Sequence, residues 1–343
     1  MTARIPVLAV VTSSGRRLRF FHGATYEPLG DLPVAAQPHE ICADPGNGWM
    51  YVSHTYRSGV YAAPGTKAHE ISVIDPHRRE LADVIPLAPE EAPHGLALDA
   101  ARGLLYVTVE AGPNGGGALV AIDTATRKPV RRIDVSARGP HWTAITPDGS
   151  KAYTASKEAP YVSVVDLERC LLVRRIPVPY GTEEITASPD GKWVYVAAAM
   201  IDFAGGDDDQ SPATLAVVDT TCDEIVHQVP LPHPASPVHV TTDGLVLAGL
   251  VRFAEPGVPG PGLLNAYRHT ATGRLELRLT AQVGRVPLTI RSTPAGDRGF
   301  VANLRSGTLD VIDLTAGTRL HTIDVDPGDP ATVQGAHGIA YLT

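Results

Sequence analysis

The chain repeats one phrase. "QPHEICADPGNGWMYVSH" at 37–54, "APHGLALDAARGLLYVTVE" at 92–110 and "GPHWTAITPDGSKAYTAS" at 139–156 share a strand that opens on Pro-His, a turn rich in Gly, Asp or Pro, and a second strand. A variable loop follows, then a third strand such as "EISVID", "ALVAID", "YVSVVD", "TLAVVD" or "TLDVID", another tight turn and a fourth strand. A unit of this kind cannot bury its apolar faces alone, so the repeat constrains the fold more than any local feature does.

The first strands open at His39, His94, His141, Glu183, Val238, Leu288 and His337, at intervals of 55, 47, 42, 55, 50 and 49 residues. Such a period fits a four-stranded propeller blade of ~40 to 50 residues. Blades are numbered 1 to 7 in that order. The seventh has only its first strand at 337–343, while "VLAVVTS", "RRLRFFH" and "YEPLGDLPV" before residue 36 read as strands two, three and four of a blade without a first. Joining them closes the ring and removes the exposed sheet edges of an open array. The expectation is an all-β, seven-bladed β-propeller over residues 1–343 as one domain, its last blade built from the C-terminal inner strand and three N-terminal strands. No helical period separates the strands, which argues against an α/β sheet.

"PHGLALDAARGLLYVTVEAG" with "LVAIDTATRKPVRRIDV", "GTEEITASPDGKWVYVAAA" with "LAVVDTTCDEIVHQVPL", and "FVANLRSGTLDVIDLTAGTRLHTIDV" resemble the repeat of the YVTN-type propellers, a lactonase-like superfamily. The resemblance covers nearly the whole chain. It implies the propeller fold, and its known members include enzymes, cofactor handlers and proteins of no assigned role, so function has to be argued from the site.

Of the 343 residues 43% are hydrophobic and 19% charged, as in a globular protein. The net charge of −8 disfavours nucleic acid and anionic membrane, which need a basic surface. Cys42, Cys170 and Cys222 form no CxxC pair, so neither structural disulfides nor a cysteine zinc site is expected. The N-terminal apolar run has strand length, and a cytoplasmic protein is the expectation.

In a blade the first strand lines the channel, and its start shares a face with the loop between strands two and three. On that face the loops of blades 1, 2, 4 and 5 are long, as "HTYRSGVYAAPGTKAH", "EAGPNGGG", "MIDFAGGDDDQSPA" and "VRFAEPGVPGPG". Long loops in a compact fold are commonly binding loops, which points to a roofed pocket at the channel mouth. There His39, His94, His141 and His337 hold equivalent places in four adjacent blades, with Glu183 in blade 4 and Val238 and Leu288 completing an apolar arc. Converging imidazoles suit Zn, Cu or Fe, and three protein ligands with an open position make a catalytic zinc site. The four histidines are the candidate metal ligands. Glu183 is the candidate proton shuttle, with His54 at the end of the second strand of blade 1.

Glu110, Lys157 and Arg252 open mouth loops and are candidates for substrate contact, as is Asn303, at the place in blade 6 that His54 holds in blade 1. Glu40, Glu184 and His239 lie one place further along their strands, so alternation points them away from the axis. "GGDDDQ" at 205–210 lacks the alternating ligand spacing of a calcium loop, and "NGGG" at 114–117 lacks the strand-to-helix setting of a phosphate loop. No nucleotide cofactor is expected. The sequence therefore favours a small-molecule hydrolase, lyase or isomerase. The rival readings are a binding or assembly propeller and a metal-dependent oxidase or oxygenase.

Overall fold

The computed structural model describes all residues except 1–4, 61–62, 180, 199–212, 256, 271–272 and 327–334. "GGDDDQ" therefore lies outside the described residues. Seven four-stranded antiparallel sheets form a β-propeller, and each follows the chain outward from its inner strand. The inner strands are Gln37–Ala43, Glu91–Asp99, Pro140–Ile145, Ile185–Ala187, Ala235–Val240, Pro287–Ser292 and Ala336–Leu342. As the repeat predicts, Ala336–Leu342 pairs with Val7–Thr12, and Arg17–His22 and Pro28–Pro33 complete that blade.

The Asp that ends the third strand in five of the seven blades builds the turn after it. Asp75, Asp123, Asp166, Asp219 and Asp313 each accept backbone N–H bonds from two or three residues onward through Oδ1. These are Asx turns. Four of the five turns end on a left-handed residue, Arg79, Arg127, Cys170 or Asp223, and the fifth ends on Gly317. Both Cys170 and Cys222 thus lie in turns, and all three cysteines are free.

Packing follows the ring. One apolar cluster fills each of the seven gaps between neighbouring blades, from Val11, Phe20, Ile41 and Val52 between blades 7 and 1 to Leu8, Phe300, Val311 and Ile339 between blades 6 and 7. The second and third strands are buried on both faces, whereas outer strands such as Lys128–Asp134 are mostly exposed. At ~1.5–3 kcal/mol for each fully buried Val, Leu, Ile or Phe, these gaps dominate the stability of the ring.

The inner strands carry the feature that makes the site. Pairing slips by one residue between Pro38 and Ile41, Pro93 and Leu96, Pro140 and Thr143, Ala235 and Val238, and Pro287 and Thr289, and again opposite Val10 and Thr12 in blade 7. A β-bulge of this kind puts two consecutive residues where alternation allows one. In blades 2 and 7 the second bulge residue is Gly95 or Gly338. A Cβ on Gly95 would meet the His141 carbonyl oxygen at 2.6 Å, and one on Gly338 would meet that of His39 at 2.8 Å. Glycine there lets neighbouring inner strands close up.

The bulges also correct the register of blade 5. Ala235, not Pro237, aligns with Pro38, so the place equivalent to His39 belongs to Ser236. Val238 instead packs in the core between blades 4 and 5.

Candidate functional site

His337, His39, His94 and His141 form one continuous row at the channel mouth. Successive ring centroids are 4.1, 4.0 and 3.9 Å apart, and His39 is 6.1 Å from His141. All four are buried, His94 completely. Burial, reinforced by His337, pushes His39 down to about 3, against the pull of Glu40. Burial and the neighbouring imidazoles and Lys157 hold His94 and His141 well below the usual histidine range. These three rings are neutral at physiological pH and can offer lone pairs.

Their nitrogens are poorly satisfied. His141 Nδ1 donates to the Glu183 carbonyl at 2.8 Å, which makes Nε2 the acceptor, and Nε2 has no partner among the described residues. The same holds for both nitrogens of His94 and for Nδ1 of His39. Buried polar atoms are normally paired, and leaving one unpaired costs about 1–3 kcal/mol. A row of such atoms on adjacent rings is the signature of a place kept for a guest.

Glu40 joins the row, contrary to the expectation from alternation, because it is the second residue of the blade 1 bulge. Its Oε1 lies 3.1 Å from His337 Nδ1 and 3.6 Å from His39 Nδ1, within ion-pair range but off the line of a hydrogen bond. Burial pushes this carboxyl up, yet the His337 and His39 rings outweigh it and hold Glu40 at about 2. One ligand atom from each of His39, Glu40 and His337 lies within 4.8 Å of the others. Two imidazoles and a carboxylate are a donor set that Zn, Fe or Cu accepts, and their unsatisfied atoms fit such an ion.

The other predicted residues divide. Glu183 is buried, its carboxylate 3.3 Å from Lys157 Nζ and hydrogen-bonded by the Ser236 hydroxyl. Glu110 accepts from Tyr56 at 3.0 Å, lies 3.5 Å from Lys67 Nζ, and reaches 3.7 Å from His94 Nε2. Burial raises its pKa against the pull of Tyr56 and Lys67. Glu183, Lys157 and Glu110 are thus brought to the row.

His54, Asn303 and Arg252 are held elsewhere. His54 Nε2 pairs with Ser72 Oγ at 2.8 Å inside blade 1, and burial pushes its ring down to about 4. Asn303 Nδ2 donates to the Val301 carbonyl, Thr308 and Asp310 within blade 6. Arg252 is exposed, and its charge acts on His233. Glu184, which follows Glu183, accepts from Arg291 Nη1 at 3.1 Å and from the Val238 N–H at 3.2 Å. His239 pairs with Ser292 Oγ at 3.0 Å. Sequence reasoning missed Ser236 as a partner of the row, and the bulge in "HPASPVHV" explains why.

No protein-family model matches the chain, and no curated protein does. Among solved structures, it is similar to "Kuenenia stuttgartiensis Hydrazine Synthase" with a TM-score of 0.67 and 16% identity, over 87% of this chain and 89% of that one. It is also similar to a functionally unknown protein from Desulfotomaculum acetoxidans DSM 771, with a TM-score of 0.71 and 13% identity, over 98% of each chain. Likeness at these identities is a likeness of fold. It places the chain among seven-bladed β-propellers.

Proposed function

We propose that this protein is an enzyme acting on a small molecule at the channel mouth, with His337, His39 and Glu40 able to hold a transition metal and His94 and His141 extending the row. The observation that carries this reading is the row of buried, largely unpartnered imidazole nitrogens. A bound ion would supply Lewis acidity, polarising a carbonyl or acidifying a water. The chain's own groups would do the rest. His141 keeps Nε2 available as a proton acceptor because the Glu183 carbonyl holds Nδ1–H. Glu110, its pKa raised and 3.7 Å from His94, is placed to hold or return a proton. Lys157, Glu183 and Ser236 fix the charge at the row's end. Hydrolase, lyase or isomerase chemistry follows from such a set. One cytoplasmic domain of the YVTN-type, lactonase-like group, without nucleotide cofactor, nucleic acid or membrane partner, remains part of this proposal.

The donor set favours a second reading. Two histidines and one carboxylate also suit iron and dioxygen chemistry, and visible and paramagnetic spectra of the loaded protein separate the two. A binding or assembly role has less support. The exposed large apolar side chains, such as Leu81, Val130, Leu171, Val226, Leu277 and Leu320, are spread over the outer strands of different blades, whereas a docking face gathers them into a patch. No helix among the described residues is long and apolar enough to cross a membrane.

Elemental analysis of the purified protein tests the reading. About one transition-metal ion per chain is expected, lost in His39→Ala, His337→Ala and Glu40→Gln while the circular dichroism spectrum stays that of the parent. A parent chain that neither carries nor takes up Zn, Fe or Cu, with the imidazole variants otherwise unaltered, sinks the metal reading.

A further inference from the structure

Three residues along the inner strand from Leu288, the blade 6 place equivalent to His141, a second polar group reaches across the ring. Arg291 belongs to the inner strand of blade 6, yet its guanidinium reaches Glu184 of blade 4 through Nη1 at 3.1 Å and lies 5.0 Å from the centroid of the Trp142 ring of blade 3. Nη1 also donates to the Ile290 carbonyl at 2.6 Å. No hydrogen bond with a described residue engages Nε or Nη2, and the side chain keeps 20% of its surface exposed inside an otherwise buried setting. At the same level blades 2, 3 and 7 carry Ala97, Ala144 and Ala340 and blade 4 carries Thr186, so most of the bulk at this height comes from Arg291, His239 and Cys42.

The electrostatics leave this guanidinium short of negative charge. Burial pushes Glu184 up to about 8, against the pull of Arg291, which weakens the carboxylate's hold on the guanidinium. Burial and the Arg291 charge together push His239 down to about 3. Glu40, the remaining carboxylate nearby, is engaged by His337 and His39. A guanidinium bonded through one nitrogen to a carboxyl weakened in this way gains most from a negative guest.

We infer that Arg291 is a carboxylate seat, its open Nε–Nη2 edge resting on Trp142 below the imidazole row, and that the molecule handled by this site is a small organic acid. The inference rests on the reading of the row as the reactive site and names its substrate class. A guanidinium edge offers two parallel N–H donors that match a planar carboxylate. The indole face beneath it keeps the group flat and orients that edge. Tetrahedral phosphate, with more charge to neutralise, needs cations beyond Arg291, and the described residues at this level supply none. A carboxylate held here leaves the rest of the molecule to extend toward His141 and His94.

Isothermal titration of the metal-free protein with succinate, and with inorganic phosphate as comparison, tests the seat apart from the metal. Saturable succinate binding is expected, weakened about tenfold or more in Arg291→Gln and less in Arg291→Lys, which keeps the charge but loses the fork. Because Arg291→Gln strips a buried carboxyl of its partner, the double variant Glu184→Gln/Arg291→Gln supplies an uncharged pair and should bind as weakly as the single one. Glu184→Gln alone, which keeps the guanidinium and removes its competitor, should bind succinate at least as tightly as the parent. Absence of saturable succinate binding to the parent, affinity unchanged in both Arg291→Gln proteins, or tighter binding of phosphate than of succinate would each overturn the seat while leaving the metal result standing.

Discussion

The two halves of the channel mouth are built on one repeat and differ in how they settle their polar atoms. Blades 7, 1, 2 and 3 contribute four imidazoles that touch one another and leave nitrogens unpaired. Blades 4 and 5 contribute Glu183, which accepts from Ser236 and pairs with Lys157, while blade 6 sends Arg291 across to Glu184. The first arc carries the cost of vacant nitrogens, whereas in the second the Glu183 and Glu184 carboxyl groups are paired and one edge of the Arg291 guanidinium stays open. The same backbone thus separates a receiving side from a supporting side.

Lowering the pH should break this contrast most strongly. His39 at about 3, His239 at about 3, His54 at about 4, and His94 and His141 well below their usual range all have folded pKa values depressed from an unfolded value of ~6.5. Their contribution is present above that value and is lost as pH falls toward the folded ones. Each costs up to about 1.4 kcal/mol per pH unit, so the urea midpoint should drop steeply between pH 7 and 5. Glu184 runs the other way. Its folded pKa of about 8 lies above the unfolded ~4.3, so its contribution is full in acid and fades as pH rises through 8. Glu184→Gln should therefore remove the part of the slope that runs between about pH 4.3 and 8, and leave the slope above 8 unchanged.

Glu183→Ala should be the costliest single change in the supporting arc. It removes the carboxylate beside a Lys157 whose side chain is only 8% exposed, and breaking a buried pair costs about 3–5 kcal/mol, read as a shift in chemical denaturation. Ser236→Ala deletes one hydrogen bond to that carboxylate and should cost about 1–2 kcal/mol in the same assay. The receiving arc should respond least. His94→Leu replaces a fully buried ring with two unpartnered nitrogens by an apolar side chain, so stability should stay within about 1 kcal/mol of the parent. A large loss in His94→Leu would show that the ring is structural and erase the distinction between the arcs.

The sequence carried the ring further than it carried the site. Repeating turns and the Asp that ends the third strand in five blades were legible because each is a local pattern copied several times, and the split last blade followed from where that pattern breaks off. The four histidines were legible for the same reason. Glu40 and Ser236 were not. A bulge inserts one residue without a sequence mark, so alternation pointed Glu40 outward, and Pro237-Val238 passed for the Pro-His of other blades. Arg291 was hidden for a different reason. Its partners lie three blades away at Trp142 and two away at Glu184, and no period relates a side chain to what it meets across an axis. His54 and Asn303 were over-read, since equivalent places in two blades turned out to hold internal hydrogen bonds.

The imidazole row crosses the one junction in the ring where chain ends meet. His337 sits on the strand that pairs with Val7–Thr12, and His39 stands on the next blade. Any guest gripped by both acts as a clasp on that junction, and its binding energy is also resistance to the ring springing open. Saturating the row should therefore slow the release of Ala336–Leu342 from its partner strand, and hydrogen exchange along that strand would report occupancy even before a reaction is known.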